Sequence, residues 1–179
     1  GVKGLAPPRH VVLSMVLYLT PLFTFDLMYK RRLLPPQAPP PLSLAAQVLS
    51  SILLYDFLFF WVHLAMHKLP ALRFLQHGTH HRNKGPINAT EVLRHSLLDG
   101  TLQVAVNIAT LNLLQSHPLS RACHNLLVTY LLAESHSGYD FAWMPHNVIP
   151  FGLYGGGIAH EKHHRGGVTH FQQFFYTSR

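Results

Sequence analysis

Histidines gathered in three short clusters set the strongest constraint on how this chain can fold. The clusters are His63-Leu-Ala-Met-His67, His77-Gly-Thr-His80-His81 and His160-Glu-Lys-His163-His164. Within each cluster, a spacing of three or four residues places imidazoles on one helical face, within reach of a common metal ion. The chain has 15 His but only 7 Asp and Glu. The sequence therefore predicts a metal site built mainly from nitrogen ligands, which suit iron, zinc, copper or nickel better than magnesium or calcium.

The composition is that of a membrane protein. Apolar residues make up 48% of the 179-residue chain and charged residues only 12%, against about 25% in a typical soluble protein. The formal net charge is +7, but the basic residues are dispersed between apolar runs, so we expect membrane flanks and no nucleic-acid partner. The single cysteine, Cys123, excludes an intramolecular disulfide and a cysteine-based zinc site.

Four apolar segments organise the chain, and we expect them to form one domain over residues 1–179. They are Val11 to Met28, Leu42 to Met66, Leu97 to Leu114 and Leu119 to Ala133. The first three have about 18 residues or more and are long enough to cross a bilayer. A proline-rich linker over residues 34–41 should be extended, and Ser116-His117-Pro118 should turn the last two segments into a hairpin. These features predict an all-α fold in which integral membrane helices form a hairpin-based anchor.

The topology should bring the three clusters together. The chain enters the hairpin after the second cluster and returns before the third, and a hairpin crosses the membrane an even number of times. All three clusters are therefore expected at one membrane face, as a His-rich cap. Basic residues lie on the same side, which makes this cap cytosolic by the positive-inside rule. Lys30-Arg31-Arg32 fits that rule only if the first two segments do not both span the membrane fully.

Four further polar positions bear on the site. Asp56 lies seven residues before His63 on the same helical face. It is expected to accept a hydrogen bond from a metal-binding imidazole, although a hydrogen bond between helices is the alternative. His136 follows the fourth apolar segment, where the chain returns to the site, and His146 lies in the loop beyond it. His95 fits either a site role or a structural one.

These residues together resemble a known family. The chain carries Asp56-Phe-Leu-Phe-Phe-Trp61-Val-His63, the two His-x-x-His-His motifs, and His136-Ser-Gly-Tyr-Asp140. Over residues 45–176 this pattern resembles the fatty acid hydroxylase/sterol desaturase superfamily, and His136-Ser-Gly-Tyr-Asp140 is similar to the sterol branch. The resemblance implies two non-haem iron ions, O2 as co-substrate, and electrons from cytochrome b5 or an NAD(P)H-dependent reductase. It also implies a multi-pass protein of the endoplasmic reticulum membrane with a cytosolic active site.

The resemblance implies an enzyme that hydroxylates, desaturates or oxidises a C–H bond of a sterol-like lipid. The expected catalytic residues are Asp56, Tyr139 and Asp140. The expected metal ligands are His63, His67, His77, His80, His81, His136, His146, His160, His163 and His164. The sterol is expected to contact aromatic side chains, although ordinary packing would also explain them; they are Phe59, Phe60, Trp61, Tyr139 and Trp143. Two alternatives remain open, a fatty-acyl or sphingolipid hydroxylase or desaturase, and a non-enzymatic membrane metal-binding or transport protein.

Overall fold

The computed structural model of the protein describes residues 36–83 and 86–175, together with residues 13, 16, 20 and 24, which are helical. The expected apolar segment from Val11 to Met28 lies outside the described residues except for those four. The described helices are α1 (Pro41–Lys68), α2 (Leu97–Leu113), α3 (Pro118–Ser135), α4 (Pro145–Val148) and α5 (Gly156–Gly166). Short 3-10 turns lie at Pro70–Leu75, His77–Arg82, Ala89–Leu93 and Pro150–Gly152. The described part of the chain contains no strand, only an isolated bridge between Tyr154 and Phe175, so the all-α prediction is confirmed there.

Proline residues set both ends of α1. Residues 36–40 are not helical, and α1 begins with Pro41 at its first position, where the missing N–H costs no helical hydrogen bond. The helix ends at Lys68, two residues before Pro70, because a proline disfavours helical backbone in the residue that precedes it. Among the described helices, α1 is the one long and apolar enough to cross a membrane. The segment from Leu97 to Leu114, which was expected to be long enough as well, forms the 17-residue α2 and does not pass this test.

The predicted hairpin is formed by α2 and α3. The side chain of Ser96 caps α2 by accepting a hydrogen bond from the Asp99 N–H over 3.1 Å, which satisfies one of the free N–H groups at the helix start. Gln115 adopts a left-handed conformation with φ 47° after α2, and α3 begins at Pro118. The hairpin therefore has a tight turn at its far end and two ends that return to the same end of the bundle.

The hydrophobic core joins α1 to both arms of the hairpin. It consists of Ile52, Tyr55, Phe59, Val106, Val128, Leu131, Leu132, Tyr154 and Phe174. The opposite face of α1 is apolar and exposed, with large side chains four residues apart at Leu49, Leu53, Phe57 and Trp61. A regular apolar face of this kind is unusual on a protein surrounded by water, and it gives α1 the exterior expected of a membrane helix.

The helix ends place the histidines at one end of the bundle. His63 and His67 lie in the last two turns of α1, and His136 caps the end of α3. The start of α2 reaches the same place, because Asp99 in its first turn contacts His77 over 2.9 Å. The 3-10 turn His77–Arg82 and α5 therefore pack against this end of the three-helix bundle.

Candidate metal centre

Nine of the ten predicted histidine ligands meet in two adjoining groups. In the first, which we name group A, the ring nitrogens of His63, His67, His77 and His81 all lie within 4.8 Å of one another. His163 joins them, because its Nε2 lies 3.1 Å from Nε2 of His63. Further Nε2 to Nε2 distances in group A are 3.2 Å between His67 and His81 and 3.0 Å between His77 and His81.

The second group, group B, consists of four buried rings. These belong to His80, His136, His160 and His164, whose ring nitrogens also lie within 4.8 Å of one another. The Nε2 of His160 is 2.9 Å from that of His136 and 3.1 Å from that of His164. The two groups share a border, since the ring centroids of His81 and His164 are 4.5 Å apart. Two groups that could each hold a metal ion therefore lie side by side.

The two groups divide each His-x-x-His-His motif between them. In His77–Arg82, the rings of His77 and His81 point into group A and the ring of His80 into group B. In α5 the assignment is reversed, with the outer pair, His160 and His164, in group B and the middle residue, His163, in group A. Adjacent histidines in a helical turn point in different directions, so each motif links the two sites rather than filling one of them.

Hydrogen bonds fix the ring orientation in group A. The Nδ1 atoms of His63 and His163 donate to the carbonyl oxygens of Phe171 and Thr169 over 2.8 and 2.7 Å. Nδ1 of His77 lies 2.9 Å from the Asp99 carboxylate. Because the oxygen partners require a proton on Nδ1, each of these rings in its neutral form presents an Nε2 lone pair, and the Nε2 atoms face one another. Converging lone pairs repel unless a cation lies between them, so group A fits a metal ion.

Group B relies more on burial. Nδ1 of His136 donates to the carbonyl oxygen of Leu132 over 2.8 Å, whereas Nδ1 of His80 and of His160 has no hydrogen-bond partner among the described residues. Burial, followed by the neighbouring imidazoles of His136 and His164, holds the pKa of His80 and His160 well below the usual range. Burial also lowers the pKa of His136 to about 4. These three rings are therefore neutral at pH 7, which is the form that binds a metal.

Asp99 is a site residue that the sequence reasoning missed. Its carboxylate is fully buried, contacts Nδ1 of His77 and accepts a hydrogen bond from Gln103 over 3.1 Å. The signal available in the sequence was an acidic side chain at the entrance of an apolar segment, close to a histidine cluster. The backbone carbonyl oxygens of Thr169 and Phe171 have no such signal in the sequence, because every residue has a backbone carbonyl.

The expected contact between Asp56 and an imidazole is corrected by the structure. Asp56 is buried, and its carboxylate accepts hydrogen bonds from the backbone N–H groups of Gln173, Phe174 and Phe175 over 3.1, 2.8 and 3.3 Å. Seven residues, about two helical turns, separate Asp56 from His63 along α1. Asp56 thus holds in place the chain segment that begins with Phe171, whose carbonyl orients His63. Its contribution to the site is indirect.

His146, Tyr139 and Asp140 lie outside both groups. The ring of His146 bridges two carboxylates, with Nδ1 3.2 Å from Glu134 and Nε2 2.8 Å from Asp140. Asp140 is exposed and also accepts a hydrogen bond from Asn147 over 2.7 Å. The hydrogen bond from His146 is the main cause that lowers the pKa of Asp140. Tyr139 is exposed, and its ring stacks on that of Phe141.

The histidines without a cluster have separate positions. His124 is buried within the bundle between Ser51, 2.8 Å away, and Asn107, 2.9 Å away. His95, for which two roles were open, lies beside group B with its ring centroid 5.2 Å from that of His80.

A cavity of about 710 Å³ opens beside group A. Its lining includes His67, His77 and His81, together with Arg73 and Arg82. Group A can therefore be reached from outside the bundle, whereas all four rings of group B are buried.

Comparison with known proteins agrees with this arrangement. The family model described as fatty acid hydroxylase matches residues 48–178. The chain belongs to this family. It is 36% identical to cholesterol 25-hydroxylase of Rattus norvegicus over 91% of the chain and 55% of that protein, and 35% identical to cholesterol 25-hydroxylase of Homo sapiens over 80% and 52%. It is also 33% identical to a very-long-chain aldehyde decarbonylase of Oryza sativa over 87% of the chain and 56% of that protein.

The chain spans about half the length of the curated relatives it matches. No solved structure matches it. Family membership confirms the resemblance seen in the sequence and makes lipid hydroxylation the chemistry to test.

Proposed function

We propose that the protein is a membrane-bound non-haem di-iron oxygenase that hydroxylates a C–H bond of a sterol-like lipid, using O2 and external electrons. One observation carries the proposal: two adjoining groups of buried imidazoles have converging Nε2 atoms, and oxygen acceptors on Nδ1 fix three rings of group A with their lone pairs inward. Imidazole is a suitable ligand for iron, and the fit is to two ions rather than one.

The residues that would hold the two ions follow from the groups. Group A would hold one ion through His63, His67, His77, His81 and His163, and group B the other through His80, His136, His160 and His164. When bound, such a pair of irons supplies the activation of O2 for attack on an unactivated C–H bond. The protein contributes ring orientation, exclusion of water around group B, and a lipid-accessible position at the end of the bundle.

A sterol-like substrate is favoured by the relatives named cholesterol 25-hydroxylase, which match at 35–36% identity over most of the chain. The decarbonylase of Oryza sativa, whose name indicates a long-chain aldehyde, supports a fatty-acyl substrate as the second candidate. A metal-binding protein without catalysis is a third. The exposed rings of Tyr139 and Trp143 are available for lipid contact, whereas Phe59 is buried in the core and contacts His63.

We further propose a multi-pass protein of the endoplasmic reticulum membrane, with the metal centre at the cytosolic face and with cytochrome b5 or an NAD(P)H-dependent reductase as electron donor. Support comes from the apolar length of α1 and from the exposed cations at the histidine end, which are Lys68, Arg73, Arg82 and Lys162. By the positive-inside rule, such cations remain in the cytosol. A glycosylation acceptor inserted after Gly166 should stay unmodified, and efficient glycan addition there would contradict this orientation.

The decisive experiment combines metal analysis with lipid profiling. The full chain is expressed in a sterol-producing host with a reductase system, next to the double variant His80→Ala/His163→Ala, which removes one ring from each group. We expect two iron ions per chain and a hydroxylated sterol with the unchanged protein, and neither with the double variant. Hydroxylated fatty acids with sterols untouched would select the second candidate. Full metal loading without any oxidised lipid would favour the third candidate, a metal-binding protein without catalysis.

A further inference from the structure

The loop between α3 and α5 carries a row of exposed aromatic rings. Tyr139, Phe141 and Trp143 are exposed by 64%, 44% and 64%. Their ring centroids are 5.3 and 5.5 Å apart in sequence order, and the interplanar angles are 14° and 10°. We name these three stacked rings the aromatic ladder.

The ladder lies on an irregular stretch of backbone. Residues 138–141 have no regular secondary structure, and Ala142 and Trp143 lie in a turn in which the Met144 N–H donates to the Phe141 carbonyl over 2.9 Å. The intervening Asp140 turns its carboxylate to His146 and Asn147. As a result, the one Asp, Glu, Lys or Arg residue between positions 139 and 155 forms its hydrogen bonds within the loop.

The same loop exposes another apolar ring, that of Phe151. Phe151 is 94% exposed and adopts φ 62° and ψ 14°. A bulky residue in the left-handed region is strained, and the strain here does not bury the ring. Val148 and Leu153 in the same loop are also exposed, by 64% and 52%. Soluble proteins rarely expose so much apolar surface within one short segment.

The fold places the loop near the end of α1 that carries His63 and His67. His136 lies three residues before Tyr139 and belongs to group B, which borders group A and thus the last two turns of α1. Three extended residues reach at most about 10 Å. The headgroup region on each side of a bilayer core is about 5–8 Å thick, so the ladder lies within reach of it.

We propose that the aromatic ladder and Phe151 dock into the headgroup region of the lipid bilayer, next to the metal centre. Tyrosine and tryptophan are enriched at that depth because they combine an apolar ring with a polar group. The partner is the lipid surface itself. This contact would hold group B against the membrane from which a lipid substrate comes, but it does not depend on metal or on turnover.

Tryptophan fluorescence tests the proposal directly, because the chain has two tryptophans, Trp61 and Trp143. The full chain would be placed in phosphatidylcholine nanodiscs as two single-tryptophan variants, Trp61→Phe, which retains Trp143, and Trp143→Phe, which retains Trp61. Lipids brominated near the headgroup or near the end of the acyl chain serve as quenchers, and acrylamide serves as the quencher in water.

We expect Trp143 to be quenched at least about twofold more strongly by the shallow bromines than by the deep ones. It should also be protected from acrylamide. Trp61 lies seven residues before the end of α1 and should show the opposite preference for bromine depth, so it reports on the span separately.

Three results would overturn the proposal. Acrylamide quenching of Trp143 as efficient as in the unfolded chain, without quenching by brominated lipid, would place the ladder in water. Protection of Trp143 from both brominated lipid and acrylamide would show that the ladder is covered by protein. Protection that develops only when cholesterol is added would identify a sterol-binding surface instead of a docking surface. None of these results depends on whether the protein is an oxygenase, so they are distinguishable from a failure of the proposed function.

Discussion

Group A and group B use the same ring chemistry but are held in different ways. Group A has five rings, and oxygen acceptors orient His63, His77 and His163. It borders a cavity of about 710 Å³. Group B has four rings, all buried, and Nδ1 of His80 and His160 has no hydrogen-bond partner in the described chain. The difference shows two ways of fixing a ligand, by a directed hydrogen bond or by close packing.

The largest effect is expected from removing a ring from the smaller group. His160→Ala takes one of four ligands from group B, and we expect it to weaken metal retention there by more than the 10- to 100-fold typical of losing an orienting partner, thus by more than about 100-fold. His67→Ala takes one of five ligands from group A, and that ring is only half-buried, so its cost should be smaller. Metal per folded chain, measured for both variants, compares them. Equal losses would contradict the distinction between the groups.

The next effect concerns the carboxylate that orients group A. Asp99→Asn preserves the size of the side chain, but an amide oxygen is a weaker acceptor for Nδ1 of His77, and the amide nitrogen faces Gln103. We expect metal affinity of group A to fall by about 10- to 100-fold, while group B is unaffected. Asp140→Asn, at an exposed carboxylate, is the matched control. Metal titration that finds both groups weakened alike by Asp99→Asn would show that they are not independent.

The third effect is a dependence of stability on pH in the metal-free protein. The pKa of His136 is lowered from 6.5 to about 4 in the folded chain, so protonation favours unfolding. The neutral His136 ring contributes roughly 3 kcal/mol to the free energy of unfolding above pH 6.5. This contribution is lost as the pH falls from 6.5 toward 4. His136→Asn retains a donor toward the Leu132 carbonyl without a titrating ring. The free energy of unfolding, measured across this range, should fall less steeply in the variant, and identical slopes would be evidence against the neutral buried ring.

A smaller effect is expected at Asp56. Asp56→Asn cannot accept all three backbone N–H groups of residues 173–175, and we expect a loss of about 1–3 kcal/mol in stability. Because that segment follows Phe171, group A should also lose metal affinity slightly, whereas group B should not. Thermal unfolding of the metal-free variant gives the first quantity and metal titration the second. A loss of metal as large as that of Asp99→Asn, with stability unchanged, would restore Asp56 as a direct partner of a ligand.

The smallest effect is expected at His146, the tenth predicted ligand. His146→Gln retains a group that can contact Glu134 or Asp140, and the ring lies outside group B, so metal per folded chain should stay the same. The comparison with His160→Ala is direct, because both rings are near the end of α3. A loss of metal as large as in that variant would make His146 the fifth ligand of group B and abolish the difference in ring number.

The sequence predicted which histidines meet better than how they divide. The three-residue and four-residue spacings and the returning hairpin were enough to bring nine rings to one end of the bundle. The division was not predictable, since His80 and His81 are neighbours in the chain and yet belong to different groups. Their directions depend on the 3-10 geometry of His77–Arg82 and on what packs around it.

The orienting partners show the same limit. Asp99 was visible as an acidic side chain, but its pairing with His77 depends on where α2 starts relative to a turn 22 residues earlier. The acceptors for His63 and His163 are backbone carbonyls, which leave no trace in residue type. Asp56 was expected to accept a hydrogen bond from an imidazole, but its partners are backbone N–H groups more than 100 residues later. In each case the missing information was the approach of two distant segments.

Each His-x-x-His-His motif contributes rings to both groups, and this determines when the two groups can be completed during synthesis of the chain. Group A needs His63 and His163, and group B needs His80 and His164, so neither set of ligands is present until the ribosome has passed residue 164. Until then, the five histidines from His63 to His81 are available to any metal ion that binds imidazole. In the proposed two-metal centre, both groups are therefore completed together, when α5 is added.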